Sequence, residues 1–314
     1  MALHWWVDDR LEDKKSQAAP ALAEFGGLAH MVHIGVSSHD IYHSWFDGFR
    51  WTANETLFPQ SSKATPALAK FGNRLHMVHL GDDSNDIWHT WWDGNRWSQN
   101  FRIPGQKSKA SPALAEFGGR LHMLHLGDSS NSIWHSSYDG NRWTENVRIS
   151  GQTSKATPAL AVHDGRLHMV HLGNSSNSMW HSTFDGSRWS QNVVIPRHTS
   201  RAAPALADYF GLNMVHIGDE SNTIWWSVYA DGYWSEDAKL PGIRNEQRSK
   251  ATPALAATPN LPAGNRRSRL NMVHLGDTST NVWHSYEYDD QALAAPEPRL
   301  IPEAAKTAMS GSLG

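Results

Sequence analysis

The chain repeats itself. The stretch "RLHMLHLGDSSNSIWHSSYDGNRW" at 120–143 has near-copies at "LAHMVHIGVSSHDIYHSWFDGFRW" (28–51), "RLHMVHLGDDSNDIWHTWWDGNRW" (74–97), "RLHMVHLGNSSNSMWHSTFDGSRW" (166–189), "LNMVHIGDESNTIWWSVYADGYW" (212–234) and "RLNMVHLGDTSTNVWHSYEYDD" (269–290). Each copy follows an A-P-A-L-A or similar tag. The tag prolines are Pro20, Pro66, Pro112, Pro158, Pro204 and Pro253, so four spacings are 46 residues and the last is 49. Repetition at such a period marks a blade or solenoid architecture, in which each unit must stack on a copy to bury its apolar face.

One repeat reads as four short strands. In the third, "SPALAEF" (111–117), "RLHMLHLG" (120–127), "SIWHSSYDG" (132–140) and "RWTENVRI" (142–149) are separated by Gly118-Gly119, the Asp128–Asn131 run and Asp139-Gly140-Asn141. Asp-Gly is a strong hairpin signal because a tight turn needs residues that tolerate positive φ. In the third segment Ile133, His135 and Ser137 share one face while Trp134, Ser136 and Tyr138 share the other. The expected fold is all-β, a six-bladed β-propeller with four antiparallel strands per blade. Its small-residue first strands would line the central channel.

Such a ring must close or leave strand edges open to pairing. Trp51, Trp97, Trp143 and Trp189 each lie 11 residues before the Ser that opens the next repeat, and Trp5 lies 11 before Ser16. Residues 4–11 are therefore expected to supply the outer strand of the sixth blade. The segment "PRLIPE" (298–303), which echoes "FRIPG", competes for that slot. The domain reading is one propeller over 1–290, with repeats opening near Ser16, Ser62, Ser108, Ser154, Ser200 and Ser249, and a tail over 291–314.

Composition narrows the function. A net charge of -3 without a basic stripe gives no reason to expect nucleic acid or an anionic membrane as partner. With 0 Cys there is no disulfide framework, thiolate metal site or cysteine nucleophile. The first residues lack a basic segment followed by an apolar one, and no apolar run is long enough to span a bilayer. The expectation is a soluble protein without a signal peptide, cytoplasmic when made, that could act on glycans outside the cell. Self-association is left open. The 16 Trp suit either blade packing or stacking on a ligand.

The recurring S-K-A-x-P-A-L-A, L-H-M-V-H-L-G-D-S-S-N, I-W-H-S and D-G-x-x-W elements resemble those of the PLL-type (Photorhabdus-lectin-like) β-propeller lectins, here with six repeats rather than seven. That resemblance implies carbohydrate binding, of fucose and related or O-methylated sugars, at sites between adjacent blades. Six repeats are also the number of the fungal fucose-binding propellers. The expected partners are glycans or glycoconjugates, bound multivalently with agglutination as the outcome, and no cofactor is implied.

Propeller geometry gathers one candidate set on the face that carries the loop between strands two and three and the connection into the next blade. Aromatic platforms would be Trp88, Trp134, Trp180, Trp225 and Trp283. Hydrogen-bonding groups would be Asp82, Asp128, Asn174, Asp219 and Asp277, with Ser84, Ser130 and Ser176. Asn85, Asn131, Asn177 and Asn222, the lysines Lys63, Lys109 and Lys155, and the histidines His79, His125 and His171 complete the set. Sugar recognition needs an aromatic surface for C–H faces and polar groups for hydroxyls. The Asp and Ser slots fit loop-turn closure as well as binding, whereas the Trp143 slot fits blade packing.

His122 and His125 form an HxxH pair, but residues three apart on a strand point to opposite faces, so the pair cannot chelate one ion. His125 with His135 lacks a third ligand in the repeat, and imidazoles hydrogen-bonded between blades are expected instead. A sialidase-like glycosidase would need two opposed carboxylates at one site, and the acidic residues here are mostly repeated loop residues; an enzyme is not expected. A protein-interaction scaffold is the other alternative. Repeats two to four keep the full set, while repeat one has Gln17, Val36, His39 and Tyr42, and repeat five has Trp226 for a histidine.

Overall fold

The computed structural model describes residues 5–242, 246–259 and 269–287, and among them it is all-β. Six antiparallel sheets are arranged as the blades of a propeller. Blade three shows the pattern: Ala113–Phe117, Arg120–Leu126, Ser132–Tyr138 and Val147–Thr153 pair in that order. The first strands contact one another in sequence around the whole ring, that of the sixth blade touching that of the first, so they surround the axis. Their Ala-Leu-Ala core fits this crowding, with Ala113, Leu114 and Ala115 all buried.

The fourth strand begins later than the sequence indicates. Trp143 makes only an isolated bridge to Tyr138, and regular pairing starts at Val147. A register shift between Ser132 and Trp134 accompanies the displaced strand. Bulges of this kind bend a strand and raise its twist.

Closure follows the same plan. Trp5–Lys15 pairs antiparallel with Asn281–Glu287, placing a strand from the chain's start outermost in the sheet of the sixth blade. Ser16 N–H donates to Thr280 C=O at 2.8 Å, as Ser108 donates to Asn85 and Ser154 to Asn131 at 2.9 Å. Segment 298–303 lies outside the described residues. No helix among the described residues is long and apolar enough to cross a membrane.

Apolar side chains fill the spaces between consecutive blades. Between blades two and three, Leu80, Ile87 and Ile103 meet Leu121, Met123 and Tyr138, all buried. Alternation along the third strand therefore serves two neighbours: Ile87 and His89 face blade three, while Trp88 and Trp92 face blade one.

Candidate functional site

The repeated histidines are largely internal. His135 Nδ1 receives the N–H of Trp189 from the next blade at 3.3 Å, so its own proton sits on Nε2, which lies 2.8 Å from His122 Nδ1. His122 then carries its proton on Nε2 and donates to Phe117 C=O at 3.1 Å. The indole of Trp143, Trp97 and Trp234 likewise reaches a His89–His76, His43–His30 and His181–His168 pair. Each relay works only with neutral rings. Burial holds His43, His135 and His181 down to about 3, and His30, His76 and His168 down to about 4. The Trp143 slot thus fastens one blade to the next.

The second histidine of each HxxH pair points the other way. His125, 1 % exposed, faces Leu126 C=O through Nδ1 at 2.7 Å and Asn146 Oδ1 through Nε2 at 3.1 Å. His79 is engaged by Leu80 and Asn100, and His171 by Leu172 and Asn192. The ring nitrogens of His79, His125 and His171, expected among the sugar-binding groups, are thus committed to the protein, and the rings lie buried beneath the loop face. The partner slot, Asn three residues after the blade-fastening Trp, went unread in the sequence although it recurs as Asn54, Asn100, Asn146 and Asn192, with Asp237 and Asp8 in the remaining repeats.

The lysine and asparagine slots form links across the loop face. Lys63 Nζ donates to Asn85 Oδ1 at 2.5 Å, and Asn85 Nδ2 donates to Asp128 of the next blade at 2.6 Å. Lys109 continues to Asn131 and Asn174, Lys155 to Asn177 and Asp219, and Asn222 to Asp277. His39 reaches Asp82 in the same manner. Between blades six and one the corresponding positions are Thr280 and Val36. These groups are spent largely on holding neighbouring loops, although Lys63, Lys109, Lys155 and Asp128 remain exposed.

The tryptophan slot keeps surface. Trp88, Trp134, Trp180, Trp225 and Trp283 are all half-buried. Each indole rests over the glycine that ends the second strand: a Cβ on Gly127 would lie 3.1 Å from Trp134 Nε1 and closer still to Ser130 Oγ. Ser84 Oγ also accepts the Asp86 N–H at 3.3 Å, closing the loop turn. Lys239 stands 5.5 Å over the Trp225 ring, and Trp283 Nε1 is buried without a hydrogen-bond partner among the described residues.

Between the outer strand of blade one and the flank of blade two lies a groove of about 860 Å³. Trp88 lines it with Asp82, Asp83 and Ser84 from the loop and Gln99 and Asn100 from below, and residues 56–61 form the opposite wall. Of the expected residues the groove unites Asp82, Ser84, Trp88 and the edge of His79, whereas Asn85 and Lys63 do not line it. The opposite wall was not foreseen, because it belongs to the preceding repeat. Further grooves of about 840 and 600 Å³ open between blades four and five and between blades six and one.

No family model matches the sequence, and no curated protein does. Solved structures do match. The SapL1 lectin, solved in complex with alpha methyl fucoside, is 16% identical with a TM-score of 0.60, over 85% of this chain and 96% of that one. The fungal lectin of Aleuria aurantia, described with a six-bladed β-propeller fold and a novel fucose recognition mode, is 14% identical with a TM-score of 0.61, over 88% of this chain and 93% of that one. The Hadza microbial sialidase Hz136 is 14% identical with a TM-score of 0.60, over 87% of this chain and 66% of its own. At such identities the likeness is one of fold, and the chain shares the propeller architecture of these lectins and of the sialidase.

Proposed function

We propose that the protein is a multivalent carbohydrate-binding protein that holds fucose or a related monosaccharide in the grooves between its blades. The observation that carries this reading is the groove at Trp88, where a half-buried indole stands beside Asp82, Ser84 and Asn100. An aromatic face with polar groups around it matches the two sides of a sugar ring. The equivalent positions around Trp134 keep these residue types, those around Trp180 carry Asn174 in place of the aspartate, and those around Trp225, Trp283 and Tyr42 depart further. Several weak sites on one ring give avidity about 10² or more above a single contact.

Binding fits the groove better than hydrolysis. A glycosidase sets two carboxylates on opposite sides of the scissile bond, whereas Asp82 and Asp83 are neighbours in one loop. The test is titration calorimetry with methyl α-L-fucoside on the protein and on the combined variant Trp88→Ala, Trp134→Ala, Trp180→Ala. A folded variant that has lost the corresponding sites supports the reading. Unchanged stoichiometry, or no monosaccharide binding by the parent, overturns it.

A further inference from the structure

The groove between blades four and five differs in chemistry from its sisters. At the cross-strand position opposite the Trp slot, blades two, three and six carry Arg102, Arg148 and Arg10, but blade four carries Val194. Before the blade-fastening Trp, blades one to four carry Arg50, Arg96, Arg142 and Arg188, but blade five carries Tyr233. The groove between blades six and one is accordingly lined by Arg10 and Arg50, whereas this one has Val194 and Tyr233 in their places. Three of the large apolar side chains the protein exposes, Val193 at 64 %, Val194 at 43 % and Tyr233 at 80 %, line this single groove. Trp234, Tyr229 and Pro196 complete its apolar wall around about 840 Å³.

Its floor is also altered. Where Gln106 of blade two accepts from Ser136 at 3.0 Å, blade four has His198, and the Ser227 hydroxyl, the counterpart of Ser136, is buried without a hydrogen-bond partner among the described residues. His198 lies 3.1 Å from Asp237, which also meets His216 at 3.1 Å. Two imidazoles thus face the one Asp237 carboxylate in this floor. The rim offers Arg197 and Glu236, paired at 3.2 Å and strongly exposed.

We infer that the groove between blades four and five binds a small ligand carrying an aromatic ring, a class different from the bare sugar assigned to the grooves of Trp88, Trp134 and Trp180. Clustered exposed apolar side chains in a concave site of this volume are the ordinary form of a small-molecule site. Ring edges and faces from Tyr233 and Trp234 favour an aryl group over a saturated ring, through offset or edge-on contact. The polar end of such a ligand would lie at the Arg197–Glu236 rim.

The inference goes beyond the sugar reading and is tested apart from it. The probes are 4-nitrophenyl α-L-fucoside, methyl α-L-fucoside and 4-nitrophenol, followed by calorimetry and tryptophan fluorescence. The variant is Val194→Arg with Tyr233→Arg, which restores at exposed positions the residues that sister blades carry. The expected result is a site for both aryl probes that methyl fucoside does not fill, weakened about ten-fold or more in the variant, with methyl fucoside binding unchanged. Absence of that site, or its persistence at full strength in the variant, overturns the inference. Loss of methyl fucoside binding alone would instead count against the sugar reading.

Discussion

At the scale of single residues, the glycine ending each second strand decides where the tryptophan platform sits. Gly127, like Gly81 and Gly173, leaves the space that the Trp134 indole and the Ser130 hydroxyl occupy. Gly127→Ala should therefore destabilise the protein by about 1–3 kcal/mol through overpacking and displace the indole, seen as a lower melting temperature with altered tryptophan fluorescence. A melt and spectrum identical to the parent's would show that the indole does not depend on this contact. Such depth is hard to read from a repeat. Alternation tells which face a residue takes, and it placed Trp134 and His135 correctly on opposite faces. It does not tell how far from solvent a residue lies, so His125 was grouped with the exposed loop although the blade interior consumes both its nitrogens.

At the scale of elements, the closing strand does more than complete a ladder. Lys14 stands at the position of Gln60, Gln106 and Gln152, is fully buried, and donates to Thr52 C=O of blade one at 2.8 Å and to Asn54 at 3.2 Å. Gln106 reaches Thr144 C=O in the corresponding way at 3.1 Å. Lys14→Ala should cost about 1.5–3 kcal/mol, the range for a lost charge-assisted hydrogen bond, while Lys14→Gln should recover most of it because the amide makes the sister contact. Denaturant melts of the two variants decide this, and equal stability of both would remove Lys14 from the closure. The strand itself was legible from the offset of Trp5 to Ser16. The start of each fourth strand was not, since the displaced pairing after Trp143 comes from a register shift that composition does not encode.

At the scale of the whole molecule, four interfaces are fastened by Trp–His–His relays that require neutral imidazoles. Because burial depresses all of these histidines, six of them to about 3 or about 4, the unfolded chain takes up protons first as the pH falls. Their stabilisation is complete above the ordinary histidine value near 6.5 and is lost progressively down to the folded values. At about pH 5 one such histidine has given up about 2 kcal/mol. His198 runs the opposite way. Burial works against its charge, but the Asp237 contact prevails and raises it, so its contribution fades as the pH rises through its folded value. Melting temperature should therefore fall steeply between about pH 6.5 and 4, and a flat profile over that window would show that the relays carry little of the stability.

The pairing of Trp5–Lys15 with Asn281–Glu287 also fixes an order of events during synthesis. A strand made before the six repeats has no partner until nearly the whole ring has left the ribosome, so blade six is completed only after the other five. Until then the growing arc presents an unpaired edge, the kind of surface on which chains exchange strands. Two chains that meet once their sixth blades are made, but before either ring has closed, each lend an opening strand to the other, giving interlocked dimers whose abundance rises with the rate of expression.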